Sequence, residues 1–277
     1  MIVFPTCKIN LGLRVRSKRA DGYHELETIF YSIPLTDALE VIRNPEPGQS
    51  EIIFTQSGLT IDAPDADNLC VRAYKLLQQR YPSIPPVLAH LHKVIPMGAG
   101  LGGGSSDAAF MLQLLNKQFS LRISNEELLA LALLLGSDCP FFIYNHPCYA
   151  TGRGEKLEPL ELNLEGYNLL IVNPGIHVST AHAFHSLNRN GTPVSYKESL
   201  KTIIQFPVKE WKEFLINEFE EPVMQAHPEI AAVKEKLYAS GAVYASMTGS
   251  GSSLYGFFKK GSAPDLTFPE SYFVRWI

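Results

Sequence analysis

Cysteine is scarce in this chain, and none is placed as a pair. Cys7, Cys70, Cys139 and Cys148 are the only four among 277 residues, and no two form a C-x-x-C step. A zinc site would draw on closely spaced thiolate and imidazole ligands, so none is expected. A disulfide framework is not expected either, and reduced thiols in a cytoplasmic protein are the simpler reading. Long apolar runs are also missing: none reaches the roughly 20 residues that span a bilayer. The first ten residues carry Pro5 and Lys8 and lack the sustained apolar stretch of a signal peptide. Without secretion, the Asn190-Gly191-Thr192 triplet carries no meaning as a glycosylation acceptor. Positive charge is not in excess, since the formal net charge is -4. That argues against a nucleic-acid-binding surface over the whole molecule. Internal repeats and low-complexity tracts are absent as well.

What remains is a globular composition, 45% hydrophobic and 19% charged. The length suits one large domain or two of ordinary size. Lys8, Arg14, Arg16, Lys18 and Arg19 form a local basic cluster. It reads equally as a patch for an anionic ligand and as a solvated strand and turn. Strands are expected over 9–15, 38–42, 51–55 and 87–95, with a turn at Pro45-Glu46-Pro47-Gly48. A helix is expected over 68–80, where Leu69, Ala73, Leu76 and Leu77 share a face. Further helices are expected over 106–116 and from the capping box Ser124-x-x-Glu127 to Gly136. Short strands at 141–144 and 148–151, a buried strand at 169–172 and helices at 209–219 and 228–240 follow. Strands at 244–248 and 253–258 flank a second glycine-serine segment. A domain boundary is expected within 145–165.

The most informative segment is Pro96-Met-Gly-Ala-Gly-Leu-Gly-Gly-Gly-Ser-Ser-Asp107. Five of the seven residues from Gly98 to Gly104 are glycine. A turn needs one or two. This many implies positive φ and close approach of backbone to a ligand. The segment runs into a helix, so its N–H groups and those of the first turn converge on one point and favour phosphate. No lysine follows the glycines, which excludes a Walker loop. Gly98-x-Gly100-x-x-Gly103 formally fits a dinucleotide fingerprint. The acidic residue expected about 20 positions on at a strand end is replaced by Glu126 and Glu127 at a helix start.

Pro96 to Ala109 resembles the second motif of the GHMP kinases, the homoserine, mevalonate and galactose kinases and their relatives. The Gly-Gly-Gly-Ser-Ser-Asp form is most similar to a member acting on an intermediate of the methylerythritol phosphate route to isoprenoid precursors. Three further segments resemble that member: Pro5-Thr-Cys-Lys-Ile-Asn-Leu11 with Ala20-Asp-Gly-Tyr-His-Glu25, Gly136-Ser-Asp-Cys-Pro-Phe-Phe142, and Thr248-Gly-Ser-Gly-Ser-Ser253. The matches span the chain from Pro5 to Ser253.

The resemblance implies an α+β, two-domain GHMP kinase fold. It consists of a ribosomal-protein-like α/β domain over 1–155 and a ferredoxin-like domain over 156–277, with the active site in the cleft between them. It implies ATP as co-substrate with Mg2+, metal ligands unknown. The acceptor is expected to be a small alcohol carrying a cytidine diphosphate group, phosphorylated at its 2-hydroxyl. No nucleic acid or membrane partner is expected, and monomer and homodimer stay open. Lys8 and Asp138 are implied as the catalytic pair. Pro96, Met97, Gly98, Ala99, Gly100, Leu101, Gly102, Gly103, Gly104, Ser105 and Ser106 are implied to cradle ATP, with Asn68, Leu69 and Lys93 near the nucleotide. Tyr23 and Phe184 would sandwich the cytosine while His24 reads its edge. Asn10 and Thr180 would complete the acceptor site. Two alternatives stand beside this: another GHMP kinase of homoserine or mevalonate type, disfavoured by Tyr23-His24 and the triple glycine, and a non-catalytic ligand-binding member of the fold.

Overall fold

The computed structural model describes residues 1–46, 51–60, 64, 67–187, 194–262 and 264–277. Pro47 and Gly48 of the expected turn, and the Asn190-Gly191-Thr192 triplet, lie outside the described residues. The chain divides into two compact units that alternate along the sequence. The first comprises Met1–Cys7, Pro34–Met97 and Gly102–Asn145; the second comprises Lys8–Ile33, Gly98–Leu101 and His146–Ile277. This division follows internal packing, unlike the two successive segments 1–155 and 156–277 of the linear reading.

In the first unit, four strands form a sheet in the order β1 (Ile2–Val3), β4 (Ala38–Arg43), β6 (Val87–Lys93), β5 (Ile52–Gly58). β4 runs antiparallel to β1 and β6, and β5 runs parallel to β6. One face of β6 points inward through Val87, Ala89, Leu91 and Lys93, as strand alternation requires. Helices α1 (Leu69–Arg80), α2 (Gly103–Gln118) and α3 (Asn125–Leu135) share one core with that face, built on Leu77, Leu112, Leu115 and Leu131. Asn68 caps α1 by accepting from the Cys70 N–H, and Ser124 caps α3 by accepting from the Glu127 N–H. α2 starts three residues earlier than the sequence suggested, because Gly103 and Gly104 join it despite poor intrinsic propensity. The expected strand at 141–144 is instead the helix α4 (Cys139–Tyr144). An apolar run this short has no diagnostic period. Pro140 in its first turn and left-handed Asn145 at its end settle the matter.

The second unit holds two sheets. One has the order β2 (Thr6–Lys18), β3 (His24–Thr36), β7 (Cys148–Gly152), β8 (Lys156–Pro159), its first two strands beginning or ending in the other unit. The other has the order β10 (Tyr244–Met247), β11 (Leu254–Lys259), β9 (Tyr167–Asn173), β12 (Phe273–Trp276), all antiparallel. Short helices α5 (Thr180–Ser186), α6 (Leu200–Ile203), α7 (Trp211–Phe214) and α8 (Glu220–Ala226), and the longer α9 (Pro228–Ala239), accompany them. The helix expected over 209–219 stops at Phe214. Beyond it the backbone turns extended and pairs with β2: the Leu13 N–H donates to the Ile216 carbonyl and the Glu218 N–H to the Leu13 carbonyl. α9 keeps the expected bounds to within a residue, with Pro228 at its start and Gly241 at φ 95° just past its end.

Candidate active site

The glycine-rich loop leaves β6 and enters α2. Gly98, Gly100 and Gly102 have φ of 61°, 77° and 71°, a region closed to most side chains. Gly102 caps α2 without any side-chain hydrogen bond, and the first turn holds no acidic residue. Neither Gly102 nor the first turn itself therefore supplies a side-chain anion to the first-turn N–H groups and the positive end of this 16-residue helix. This is a fitting seat for phosphate.

Beneath the start of α2, in the first unit, lies a buried ion triad. Lys93 Nζ donates to Asp37 Oδ2, and to Asp107 Oδ2 at 2.8 Å. Asp37 Oδ1 accepts from the N–H groups of Val94 and Ile95 at 2.6 and 2.9 Å, fixing the chain just past β6. Asp107 Oδ1 has no hydrogen-bond partner among the described residues. Burial pushes the Asp107 carboxyl up to about 7, against the pull of the Lys93 ammonium. Burial on its own would lower Lys93, but the two carboxylates outweigh it and raise it. Cys70 of α1 faces the triad, and burial keeps its thiol protonated. Lys93, read from the sequence as lying near the nucleotide, thus has its ammonium committed to two carboxylates. A Cβ on Gly103 would come within 2.9 Å of it.

The remaining first-unit residues gather around the same helix start. Asp138 ends the α3–α4 connection in helical conformation, at the N-cap of α4. Its neighbours lie close to α2: a Cβ on Gly136 would lie 3.9 Å from Ser105 Oγ. Burial pushes the Cys139 thiol up to about 12, so it is no nucleophile at neutral pH. Leu69 lies close to the start of α2, since a Cβ on Gly104 would sit 3.4 Å from Met97 Cε and 3.9 Å from Leu69 Cδ1, and Asn68 caps α1 just before it. Met97 is exposed.

In the second unit, the middle of the loop is locked to the second glycine-serine segment. Thr248 Oγ1 lies 3.1 Å from the Gly100 carbonyl oxygen, and the Ser253 N–H donates to the Ala99 carbonyl at 3.2 Å. A Cβ on Gly100 would stand 2.0 Å from the Thr248 carbonyl oxygen, so only glycine fits. Asn10 is the hub of this region. Its Oδ1 accepts from Lys8 Nζ at 2.6 Å and from the Gly249 N–H at 2.9 Å, and its Nδ2 donates to Thr28 Oγ1 at 2.9 Å. Its N–H donates to Thr248 Oγ1, and its carbonyl accepts from the Tyr255 hydroxyl. Lys8 is buried, its N–H donates to the Leu101 carbonyl at 2.9 Å, and its ammonium lies over the Phe30 ring. Both ends of the Asn10 amide are therefore engaged within the protein, a support role that its assignment to the acceptor had not included.

The aromatic cluster departs in detail from the reading. His24 stacks on Phe184 with centroids 4.5 Å apart, and Phe184 meets Phe219 edge to face. Tyr23 is 52% exposed, and the Arg153 guanidinium lies over its ring at 4.6 Å. The two rings expected to sandwich a cytosine thus each have a partner. Burial, then the nearby Lys18, lower the His24 pKa, which favours the neutral imidazole able both to donate and to accept. Thr180 Oγ1 bonds Ser250 Oγ at 2.8 Å, beside the glycine-serine segment. The basic cluster is largely committed internally. Arg16 and Arg14 face the fully buried Glu27, which also accepts from the Tyr149 hydroxyl and the Leu200 N–H. Arg19 pairs with Asp21 and Glu25.

Sequence reasoning missed Asp37, Asp107 and Glu27. One signal was present for the first two: Lys93 is in phase with Val87, Ala89 and Leu91, and an inward lysine demands carboxylate partners. Among the described residues no group of three or more His, Cys, Asp or Glu could hold a metal ion. No helix among them is long and apolar enough to cross a membrane.

Residues 68–146 match the N-terminal domain of the GHMP kinases, and residues 208–267 match their C-terminal domain. A 4-diphosphocytidyl-2-C-methyl-D-erythritol kinase from Parabacteroides distasonis is 51% identical over 260 residues, covering 94% of this chain and 92% of the relative. The namesake from Bacteroides thetaiotaomicron is 49% identical, covering 98% and 95%. A solved 4-(cytidine 5'-diphospho)-2C-methyl-D-erythritol kinase matches with a TM-score of 0.77 at 34% identity, over 92% of this chain and 89% of that one. With these relatives and both domain matches, the chain belongs to the GHMP kinases, in the family of the 4-diphosphocytidyl-2-C-methyl-D-erythritol kinases.

Proposed function

We propose that this ATP-dependent kinase transfers the γ-phosphoryl group of ATP to the 2-hydroxyl of 4-diphosphocytidyl-2-C-methyl-D-erythritol. The observation that carries the nucleotide half is the loop: left-handed glycines lead into a 16-residue helix whose N-cap is Gly102 and whose first turn carries no acidic residue. The acceptor is assigned from the family, and the exposed Tyr23, next in sequence to the His24 that stacks on Phe184, supports a planar base as part of it.

Asp138 is the proposed base and Lys8 its cationic partner. An alcohol is a weak nucleophile with a high pKa, so a carboxylate in reach must orient it and take its proton. The acceptor oxygen forms a bond to the γ-phosphorus, the bond to the β–γ bridging oxygen breaks, ADP leaves, and the proton passes to Asp138. The Lys8 ammonium offsets negative charge on the transferred group. Positioning supplies most of the remaining rate. Each member of the pair stands by the loop within its own unit: Lys8 through its bond to Leu101, Asp138 through the closeness of its turn to Ser105. A magnesium ion would arrive with the nucleotide, held by phosphate oxygens. Ser105 is the candidate hydroxyl contact, and the metal's contribution would be neutralisation of phosphate charge. Four buried cysteines, none of them in a disulfide, support a reducing, cytoplasmic setting.

ADP release measured with a panel of alcohols tests the assignment. Turnover with the cytidine diphosphate-bearing acceptor, and little with homoserine or mevalonate, is expected. Good turnover of either of those two with none of the cytidine compound would overturn it.

A further inference from the structure

We infer that the buried triad of Lys93, Asp37 and Asp107 is a positioning device for the ATP-binding loop, setting the spacing between its entry at β6 and its exit at α2. The inference rests on the nucleotide-binding reading of that loop.

The geometry is specific. Three elements of the first unit meet at one ammonium. Asp37, in the connection between β3 and β4, holds the N–H groups of Val94 and Ile95, the two residues before Pro96. Lys93 is the last residue of β6. Asp107 lies one turn into α2, four residues after Gly103. Gly103 itself leaves no room for a side chain, because a Cβ would come within 2.9 Å of both Lys93 Nζ and Ile95 Cγ2. One cation therefore bonds the helix that would receive phosphate and the carboxylate that fixes the incoming strand. The side chains of Lys93 and Asp37 are fully buried, and that of Asp107 is 4% exposed.

A merely space-filling role would not require ions here. Apolar residues of similar volume often do as well or better for stability than a buried ion pair. What ions add is directional, short-range restraint. One of the four carboxyl oxygens of the triad, Asp107 Oδ1, has no hydrogen-bond partner among the described residues. The triad is thus not the most stable filling of its space, which fits a role in holding geometry.

The test uses Asp107→Asn, nearly isosteric and able to keep an oxygen on Lys93. We expect the KM for ATP to rise about tenfold or more, with the KM for the acceptor within about twofold of wild type. A folded Asp107→Asn protein with an unchanged KM for ATP overturns the inference. Amide exchange of the wild type decides independently of how that variant folds. Residues 93–95 and 103–107 should open together, and gain protection together when a non-hydrolysable ATP analogue with magnesium is added. Separate opening of the two segments, with protection of the loop by the nucleotide, overturns the triad's role alone. No protection of residues 98–105 in the wild type overturns the nucleotide reading, and this inference with it.

Discussion

Lys93 and Asn10 are both buried polar hubs beside the same loop, yet they hold it by different means. Around Lys93 the bonds are ionic, and one carboxylate oxygen is left without a donor among the described residues. Around Asn10 the acceptors and donors are amides and hydroxyls, apart from the Lys8 ammonium, and both ends of the side-chain amide are used. The ionic hub restrains the flanks of the loop, and the amide hub restrains its middle through Thr248 and Gly249. Charge gives strong restraint whose strength varies with protonation. Saturated neutral hydrogen bonding gives restraint indifferent to pH in the physiological range.

The largest effect is expected away from both hubs. Asp138→Asn should lower kcat by about a thousandfold or more, in the range lost with a general base, while ATP still binds. ADP release together with nucleotide titration checks this, and near-normal turnover removes Asp138 as the base. Next comes the amide-hub side of the loop. Gly100→Ala puts a Cβ against the Thr248 carbonyl at φ 77°, and should cost at least ~2 kcal/mol in denaturant unfolding. It should also weaken ATP binding.

A paired measurement sharpens the contrast between the hubs. Asn10→Ala strands several buried donors and should cost about 2–3 kcal/mol by the same amount at every pH between 5 and 8. Asp107→Asn should instead change the slope of stability with pH. The folded pKa of Asp107 is raised from 3.8 to about 7. Between those values the folded state keeps a proton that the unfolded chain has lost. This contribution is therefore fully present below pH 4 and is lost as pH rises through about 7, with a slope of up to about 1.4 kcal/mol per pH unit. The variant should lack that slope, and parallel profiles for wild type and variant would contradict the assignment. The smallest effect is expected at the aromatic cluster. Tyr23→Ala should raise the KM for the acceptor about tenfold, the scale of one lost stacking contact, and leave the KM for ATP nearly unchanged. Equal effects on both would remove Tyr23 from the acceptor site.

The sequence disclosed the parts of this molecule that local chemistry determines. The start of α3 at Ser124, the start of α1 to within one residue of Asn68 and the Pro228–Gly241 bounds of α9 were legible because each is written within a few residues. The loop was legible because so many glycines have few other uses. The α4 segment was not, since Phe141, Phe142, Ile143 and Tyr144 suit a strand as well as a buried helix. Nor was the break after Phe214, which arises from pairing of Ile216 and Glu218 with Leu13, some two hundred residues away. The triad was half legible: the phase of β6 exposed Lys93 as inward, but its partners come from Asp37 and Asp107, which only folding brings to it. The Arg153 contact on Tyr23 and the His24 stack on Phe184 had no sequence signal, because rings meet through tertiary packing.

The phosphorus spectrum of the wild-type reaction mixture tests the central claim most directly. With ATP, magnesium and 4-diphosphocytidyl-2-C-methyl-D-erythritol, a new phosphomonoester resonance should grow in equal amount to ADP, on the 2-oxygen of the acceptor. ADP formed without that resonance, or no reaction while ATP is bound, would contradict the account.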